Sequence, residues 1–245
     1  MPVQDDERER ELVRVFNLSW NPSHQRAGVD ALLDVLVDGR NYQFEVEVKS
    51  TTGTTVSTAR DVGMEHIQKW RTKLFVIGFY SKEVRRPELK SCLCLTPVDM
   101  EPWVGSIEKK IAKDFKIALR ASRTLTQDDL FEVCGKKPAY SLDDAKQLHK
   151  MQWSADEYKA ALDTDGQGRQ SISQGKMLEI LRLRAKYIAE RGATLNNPHI
   201  TKAHLDAFIG TPREVLDTSW ASSIRAIATE FVRANPDHPT VSRTS

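Results

Sequence analysis

The chain has 245 residues, of which 40% are hydrophobic and 29% are charged, and its formal net charge is +2. This composition excludes a disordered chain, and no apolar run in the sequence reaches the length that crosses a membrane. The small positive charge permits a nucleic-acid partner but does not require one.

Nearly all of the strand-like sequence lies in residues 1–98. A first helix is predicted over DDERERELVRVFNLSW, where Leu12, Val15, Phe16 and Leu18 form an apolar stripe. Two strand-like runs, a polar loop, a helix and two further strands follow in the order GVDALLDVLV, QFEVEVKS, TTGTTVSTARD, DVGMEHIQKWR, LFVIGFY and SCLCLTP. The predicted order is therefore helix, strand, strand, helix, strand, strand.

Residues 99–234 are predicted to be almost wholly helical, and residues 235–245 to form a flexible tail because they show no periodicity. Within the helical region, DTDGQGRQSISQ begins like a calcium-binding loop. Gln174 stands where such a loop needs its bidentate glutamate, so we interpret the stretch as a glycine-rich loop. The sequence thus predicts an α/β (α+β) protein. A mixed central sheet flanked by helices, residues 1–98, precedes the helical region.

The two strand-like runs are joined by Asp38-Gly39-Arg40-Asn41, a hairpin signal. With the turn centred between Gly39 and Arg40, Asp34 is expected opposite Glu45 and Asp30 opposite Lys49. One face of the hairpin is then continuously apolar, and the other gathers the charged residues Asp30, Asp34, Glu45, Glu47 and Lys49. A shift by one residue would bury these charges, so the register is expected to be well determined.

Four carboxylates on one sheet face repel one another unless a cation compensates their charge. Mg²⁺ is typically bound by one or two protein carboxylates together with water and phosphate oxygens. Such an ion polarises a phosphoryl oxygen and lowers the pKa of a bound water. Lys49 beside it could position the attacking water, deprotonate it, or stabilise the negative transition state.

The spacing of these residues resembles the signature of the PD-(D/E)XK nuclease superfamily. Asp30 is followed, after 16 intervening residues, by Glu47-Val48-Lys49, and the predicted order of elements over residues 1–98 matches the common core of that superfamily. The size of the chain and its helical appendage are most similar to those of type II restriction endonucleases. The match departs at one point, because Gly28-Val29 rather than a proline precedes Asp30.

This resemblance implies a restriction-endonuclease-like core in which Asp30 and Glu47 bind Mg²⁺, with Mn²⁺ as a substitute, and Lys49 is catalytic. It also implies sequence-specific cleavage of double-stranded DNA by a homodimer, since a two-fold protein suits a two-fold site. Further residues are candidates for a supporting role. These are an acid of the first helix, Glu11 or Glu9, and three further residues, Gln68, Asp34 and Glu45. The alternative for the last three is that they are ordinary solvent-exposed residues.

Two polar segments are candidates for DNA contact. The loop after the Glu-Val-Lys triplet offers Thr54, Thr55, Ser57 and Arg60 as hydrogen-bond donors to phosphates or bases. Downstream, basic residues recur at helical spacing along one stripe, which suits a phosphate backbone; they are Lys109, Lys113, Lys116, Arg120 and Arg123. A polar loop and a solvated helix face are the alternatives.

Two other functions share the same core. One is a structure-specific nuclease of repair or recombination, and the other is a DNA-binding protein that has lost catalysis. The charged N-terminus is unlike a secretory signal, and Cys92, Cys94 and Cys134 are too few for a disulfide framework or a zinc site. We therefore expect a cytoplasmic protein with no membrane partner.

Overall fold

The structure of the chain is a computed structural model that describes residues 4–20, 30–82, 87–216 and 218–242. It divides into two compact units. We call Met1–Lys110 with Leu195–Ser245 the core unit, and Ile111–Thr194 the inserted unit. This division differs from the predicted one, which separated residues 1–98 from residues 99–234, because residues 99–110 and the chain from Leu195 onward group with the core unit.

The secondary-structure elements of the described residues are numbered in chain order. The helices are α1 (Gln4–Val15), α2 (Met64–Trp70), α3 (Pro97–Arg123), α4 (Gln127–Cys134), α5 (Leu142–Leu148), α6 (Ala155–Ala160), α7 (Gln174–Ala193), α8 (Lys202–Asp206), α9 (Trp220–Ala234) and α10 (Pro239–Ser242). The strands are β1 (Ser19–Trp20), β2 (Ala31–Val37), β3 (Arg40–Thr51), β4 (Val56–Ser57), β5 (Leu74–Tyr80), β6 (Leu89–Leu95), β7 (Ala139–Tyr140), β8 (Asp163–Thr164), β9 (Gln170–Ser173), β10 (His199–Ile200) and β11 (Glu214–Val215).

The core unit is built around a mixed sheet with the strand order β1-β2-β3-β5-β6-β11. Strands β3 and β5 pair in parallel, and the other neighbours pair antiparallel. The predicted succession α1, β2, β3, α2, β5, β6 is confirmed, as is the α+β class with a mixed central sheet flanked by helices. A parallel neighbour requires a crossover, and α2 lies in the connection from β3 to β5.

The β2–β3 hairpin closes through a two-residue turn, Asp38-Gly39, in which both residues have positive φ, 50° and 81°. This is the type I′ geometry that matches strand twist, and the Asp-Gly pair favours it. The predicted register is wrong by two residues. Asp34 lies opposite Gln43, whose Nε2 donates to Asp34 Oδ1 at 2.9 Å, and Leu32 lies opposite Glu45. A shift of two residues keeps every side chain on its predicted face.

The apolar face of the hairpin is the core predicted from the sequence. Its buried residues include Leu33, Phe44 and Val46, and they pack with Phe16, which directly follows α1, and with Phe231 of α9. On β5 and β6 the alternate residues are buried as well; these are Phe75, Ile77, Leu93 and Leu95. Both faces of the sheet are therefore covered at β5 and β6, so the charged side of β3 borders a dry region.

Two other expectations need correction. The region predicted to be almost wholly helical also contains β7 to β11, which have two to four residues each and are too short to show periodicity. The stretch predicted to be a flexible tail contains α10, where Val241 is buried and Thr240 Oγ1 donates to Thr72 O at 3.2 Å. Residues 243–245 of the tail lie outside the described part of the chain. Among the described helices, none combines the length and apolar character that crossing a membrane requires.

The inserted unit has its own sheet and core. Its strands lie in the order β7-β9-β8, both pairs antiparallel, and α4, α5, α6 and α7 surround them. All of these elements except β8 contribute to one apolar cluster that includes Leu130, Tyr140, Ala145, Tyr158 and Ile172. The stretch interpreted as a glycine-rich loop is the β8–β9 hairpin of this sheet.

The turn geometry yields a prediction about stability. We expect Gly39→Val to destabilise the protein by about 1–2 kcal/mol, because a β-branched residue is disfavoured at positive φ. Gly39→Asn is the matched control, since asparagine tolerates this conformation and a Cβ at position 39 meets no atom within 4 Å. Denaturant unfolding of the two variants measures the difference. If Gly39→Val and Gly39→Asn were equally stable, the positive φ at position 39 would be excluded as a determinant of stability.

Candidate active site

A cluster of charged side chains lies where β3 passes between β2 and β5. Glu47 and Lys49 are alternate residues of β3 and therefore point to the same side of the sheet. Asp30 immediately precedes β2, the antiparallel neighbour, and Lys73 immediately precedes β5, the parallel neighbour. Glu9 reaches the cluster from α1. The three residues on which the sequence analysis depends, Asp30, Glu47 and Lys49, are thus brought together.

The ammonium group of Lys49 is the centre of the cluster. Its Nζ lies 3.2 Å from Asp30 Oδ2, 3.1 Å from Glu47 Oε1 and 3.8 Å from Glu9 Oε1. It also donates to the carbonyl oxygen of Val48 at 2.9 Å. Asp30 Oδ2 in turn accepts from the backbone N–H of Val48 at 3.0 Å. Asp30 is therefore bound to β3 by both a backbone and a side-chain donor.

Glu47 is the most unusual residue of the cluster, because a carboxylate with only 8% of its surface exposed is costly to bury without compensation. Both of its oxygens are paired. Oε1 faces Lys49, and Oε2 accepts from Lys73 Nζ at 2.8 Å. Lys73 is itself 4% exposed. The two lysines supply the positive charge that this buried carboxylate needs.

Lys73 was missed by the sequence analysis. The parallel pairing of β3 with β5 puts Val46 beside Leu74, so Lys73, the residue before Leu74, falls close to Glu47, the first residue of the Glu47-Val48-Lys49 triplet. A lysine directly before the fully apolar run LFVIGFY was the available signal. Without the pairing of the strands, however, the sequence did not indicate which side chain this lysine meets.

The electrostatics of the cluster stabilise its charged forms. Burial alone would raise the pKa of Glu47, but Lys49 and Lys73 outweigh burial and lower it to about 2. Burial alone would lower the pKa of Lys49, but Glu47, Asp30 and Glu9 outweigh it and raise the pKa above its ordinary value. At neutral pH Glu47 is therefore a carboxylate and Lys49 an ammonium ion.

Helix α1 offers two acids, Glu9 and Glu11, between which the sequence analysis did not decide. Glu11 accepts from the hydroxyl of Tyr80 at 3.0 Å, whereas Glu9 is the residue that faces Lys49. The same helix contacts the strand beyond the cluster, since Arg8 Nε donates to Ser50 Oγ at 3.2 Å. Glu9 therefore takes the position in the cluster that had been left open between the two acids.

The remaining supporting candidates lie apart from this network of contacts. Asp34, Glu45 and Gln68 are exposed, and Asp34 is hydrogen-bonded to Gln43 on the neighbouring strand. Glu45 shares the side of β3 with Glu47 but lies two residues nearer the hairpin turn. These positions agree with the interpretation of all three as ordinary solvent-exposed residues.

The two candidate DNA-contacting segments are exposed to solvent. Thr54, Thr55, Ser57 and Arg60 are all exposed, and Ser57 lies on β4, which pairs with β10. The basic stripe is confirmed as part of α3, a single helix of 27 residues. Its members, which are Lys109, Lys113, Lys116, Arg120 and Arg123, are exposed and form no ion pair within the described part of the chain.

The oxygen ligands of the cluster are of the kind that a hard divalent cation takes, since the carboxylates of Glu9, Asp30 and Glu47 all lie around Lys49 Nζ. Across the described ranges, no group of three or more His, Cys, Asp or Glu side chains is arranged to hold a metal ion. Mg²⁺ needs only one or two protein carboxylates, the remaining ligands being water and phosphate oxygens. Asp30 and Glu47 are carboxylates of the kind and number that this ion takes, and both oxygens of Glu47 are paired with lysines in this structure.

Comparison with known proteins adds no family assignment. No protein-family model matches the chain, and a search of curated proteins finds no significant match.

The buried pair of Glu47 and Lys73 leads to a stability prediction. We expect Lys73→Met to destabilise the protein by about 3 kcal/mol, because it leaves a buried carboxylate with one cation instead of two. Adding Glu47→Gln should recover part of that loss, since the remaining group is then neutral. Urea unfolding of the single and double variants measures the coupling between the two side chains.

Lys90→Met is the matched control, because Lys90 is also paired with a glutamate, Glu88, but both side chains are largely exposed. Its effect should be much smaller. If Lys73→Met and Lys90→Met unfolded at the same urea concentration, the compensation of Glu47 by Lys73 would be excluded as a source of stability.

Proposed function

We propose that this protein is a Mg²⁺-dependent endonuclease that cleaves double-stranded DNA at specific sequences, as type II restriction enzymes do. The observation that supports the proposal most directly is the convergence of Asp30, Glu47 and Lys49. The carboxylates of Asp30, which directly precedes β2, and of Glu47 on β3 lie within 3.2 Å of the Lys49 ammonium group, where β3 passes between β2 and β5. The resemblance to the PD-(D/E)XK superfamily assigns metal binding and catalysis to these same three residues.

Each residue has a definite role under this proposal. Asp30 and Glu47 would hold the ion, which when bound supplies charge stabilisation at a phosphoryl oxygen and a more acidic water. Lys49 is held as an ammonium ion by the surrounding carboxylates. A protonated lysine donates hydrogen bonds and cannot accept a proton. In this protonated form Lys49 can orient the water or stabilise negative charge on the phosphate.

Lys73 is a positioning residue in this scheme. It binds Glu47 Oε2 from the side opposite Lys49, so the carboxylate is fixed by a hydrogen bond at each oxygen. A fixed carboxylate loses little conformational entropy when it binds a ligand. The buried apolar residues beside it, such as Phe75 and Ile77, strengthen these charge interactions by excluding water.

A DNA-binding protein without cleavage activity is the second candidate. One observation favours it: both oxygens of Glu47 are already bound by lysines, so the carboxylate is compensated without any metal ion. The two candidates differ in one measurement, which is cleavage of a large sequenced DNA in the presence of Mg²⁺. Discrete fragments support the restriction enzyme, cutting confined to branched DNA supports a repair or recombination nuclease, and binding alone supports the inactive protein.

The first functional prediction concerns the central residues. We expect Asp30→Asn, Glu47→Gln and Lys49→Met each to reduce the cleavage rate by a factor on the order of 10²–10³ or more, because each removes one charge that acts on the transition state. Excess EDTA should abolish cleavage by the unaltered protein, and added Mg²⁺ should restore it. Single-turnover cleavage of plasmid DNA measures these rates.

Glu45→Gln is the matched control for Glu47→Gln, because it makes the same change on the same side of the same strand at an exposed position. It should cleave at the unaltered rate. Melting curves exclude loss of folding as the cause of inactivity. Normal cleavage by Glu47→Gln or Lys49→Met, or cleavage that persists in EDTA, would refute the assignment.

The second functional prediction concerns the basic stripe of α3. If these side chains lie along phosphates, Lys113→Ala with Lys116→Ala should weaken binding to all duplex sequences alike. The slope of log affinity against log salt should become shallower by roughly one unit for each lost contact. Fluorescence anisotropy at several salt concentrations measures this slope. A double variant with an unchanged slope would remove the stripe from the DNA interface.

A further inference from the structure

After the part of α3 that lies in the inserted unit, the elements of this unit follow in the order helix, strand, helix, helix, strand, strand, helix, from α4 to α7. Within it, α5 and α6 are consecutive helices joined by residues 149–154, and β8 and β9 form a hairpin directly after α6. The first strand, β7, pairs with β9, so the hairpin belongs to the small sheet beneath the helices. This order of elements and this strand pairing match those of a helix–turn–helix followed by a β-hairpin wing. In DNA-binding motifs of that kind the second helix enters the major groove.

Helix α6 is held rigidly although it has only six residues, too few to be stable alone. Ser154 and Glu157 form a reciprocal capping box at its start. Tyr158 is its buried residue and packs on the ring of Trp153, with ring centroids 5.4 Å apart. The preceding turn is attached to α7, because Gln152 Oε1 accepts from Arg184 Nη1 at 2.9 Å.

The rest of α6 is exposed. Ala155, Asp156, Glu157, Lys159 and Ala160 all face solvent. Small alanines allow close approach to a groove, and the longer polar side chains are of the kinds that hydrogen-bond to base edges. Apart from Glu157, which is used in the capping box, these exposed side chains of α6 take no part in its packing within the unit and are accessible to a partner.

The β8–β9 hairpin, like α6, is held by hydrogen bonds and exposed to solvent. Asp165 Oδ1 accepts from the backbone N–H groups of Gln167 and Arg169, and Asp165 Oδ2 accepts from Arg169 Nε. These bonds fix the turn, so the acid that resembled a calcium ligand in the sequence organises a hairpin instead. Gln167, Arg169 and Gln170 are exposed, and glutamine and arginine are side chains that read adenine and guanine.

The excess of positive over negative charge in the chain lies in the inserted unit. Residues 111–194 contain 15 Lys and Arg against 12 Asp and Glu, a net charge of +3, whereas the whole chain carries +2. The core unit is therefore slightly negative. Residues 111–123 of α3 supply this excess, with four Lys and Arg against one Asp, whereas residues 155–170 carry two basic and four acidic residues. Attraction of a polyanion to the inserted unit therefore comes from α3, and α6 and the wing add none.

We propose that the inserted unit is the DNA-reading part of the protein, with α6 in the major groove of duplex DNA and the β8–β9 wing against the DNA beside it. This inference deepens the proposed function, on which it rests for the identity of the substrate. Under this inference, cleavage and sequence recognition are carried out by different units. The cluster around Lys49 lies in the core unit, and sequence readout belongs to residues 155–170.

Binding in EDTA tests the inference without reference to cleavage. The full chain is used to enrich sequences from a library of random duplex DNA, and anisotropy then measures affinity for the enriched duplex and for unselected duplex. The variant Asp156→Ala with Lys159→Ala removes one exposed acid and one exposed base of α6, so the net charge is unchanged. We expect about tenfold or greater loss of affinity for the enriched duplex, the effect of losing a base contact, and little change for unselected duplex.

The matched control is Lys202→Ala with Asp206→Ala, which removes an exposed Lys–Asp pair from α8, another short helix, in the core unit. It should bind both duplexes normally. Equal affinity of the α6 variant and the control for the enriched duplex would overturn the inference, as would a protein that binds no duplex DNA.

Cleavage assays distinguish this failure from failure of the proposed function. A protein that never cleaves with Mg²⁺ but loses its enriched sequence in the α6 variant refutes the nuclease and supports the reading unit. A protein that cleaves discrete sites equally well with and without the α6 substitutions supports the nuclease and refutes the reading unit. Melting curves of both double variants confirm that each is folded.

Discussion

The compensation of one buried carboxylate, Glu47, by two lysines is the interaction on which the candidate site depends. A charge in a dry part of a protein must be paired, and here each oxygen of the carboxylate has its own cation. Lys49 comes from the same strand, so the pair follows from the alternation of β3. Lys73 comes from the residue before β5, so this second pair exists only because β3 and β5 run parallel in register.

The surroundings explain why such a costly arrangement is stable. The apolar face of the hairpin packs against α1 and α9, and the opposite face is covered at β5 and β6 by a second buried layer. Within that low-dielectric region each ion pair is stronger than it would be in water, and an unpaired charge would be correspondingly more destabilising. A site of this kind is preorganised: its charges are fixed before any substrate arrives, as electrostatic catalysis requires.

The division into two units suits a protein that reads and cuts DNA. The core unit carries acidic groups at its centre and a slightly negative total charge, which by themselves repel a phosphate backbone. The inserted unit carries the compensating positive charge and an ordered, exposed helix and hairpin. Under the proposed function, attraction to DNA comes from one unit and chemistry from the other, so each surface meets a different physical requirement.

The sequence by itself determined the order of the main elements, the two faces of the hairpin and the central residues Asp30, Glu47 and Lys49. It could do so because side chains alternate along a strand and repeat every three to four residues along a helix, and both patterns are local. Even the error of two residues in the hairpin register left those faces intact. The prediction of a basic stripe on α3 succeeded for the same reason.

Only the tertiary structure decided which distant residues complete the cluster. Lys73 pairs with Glu47 through strand pairing across 26 positions, and Glu9 rather than Glu11 faces Lys49 because of the way α1 lies on the sheet. The strands of the inserted unit, of two to four residues, are too short to give a periodic signal, so a region that reads as helices holds a small sheet and a wing. Contacts between residues far apart in the chain depend on packing, and local sequence patterns do not encode them.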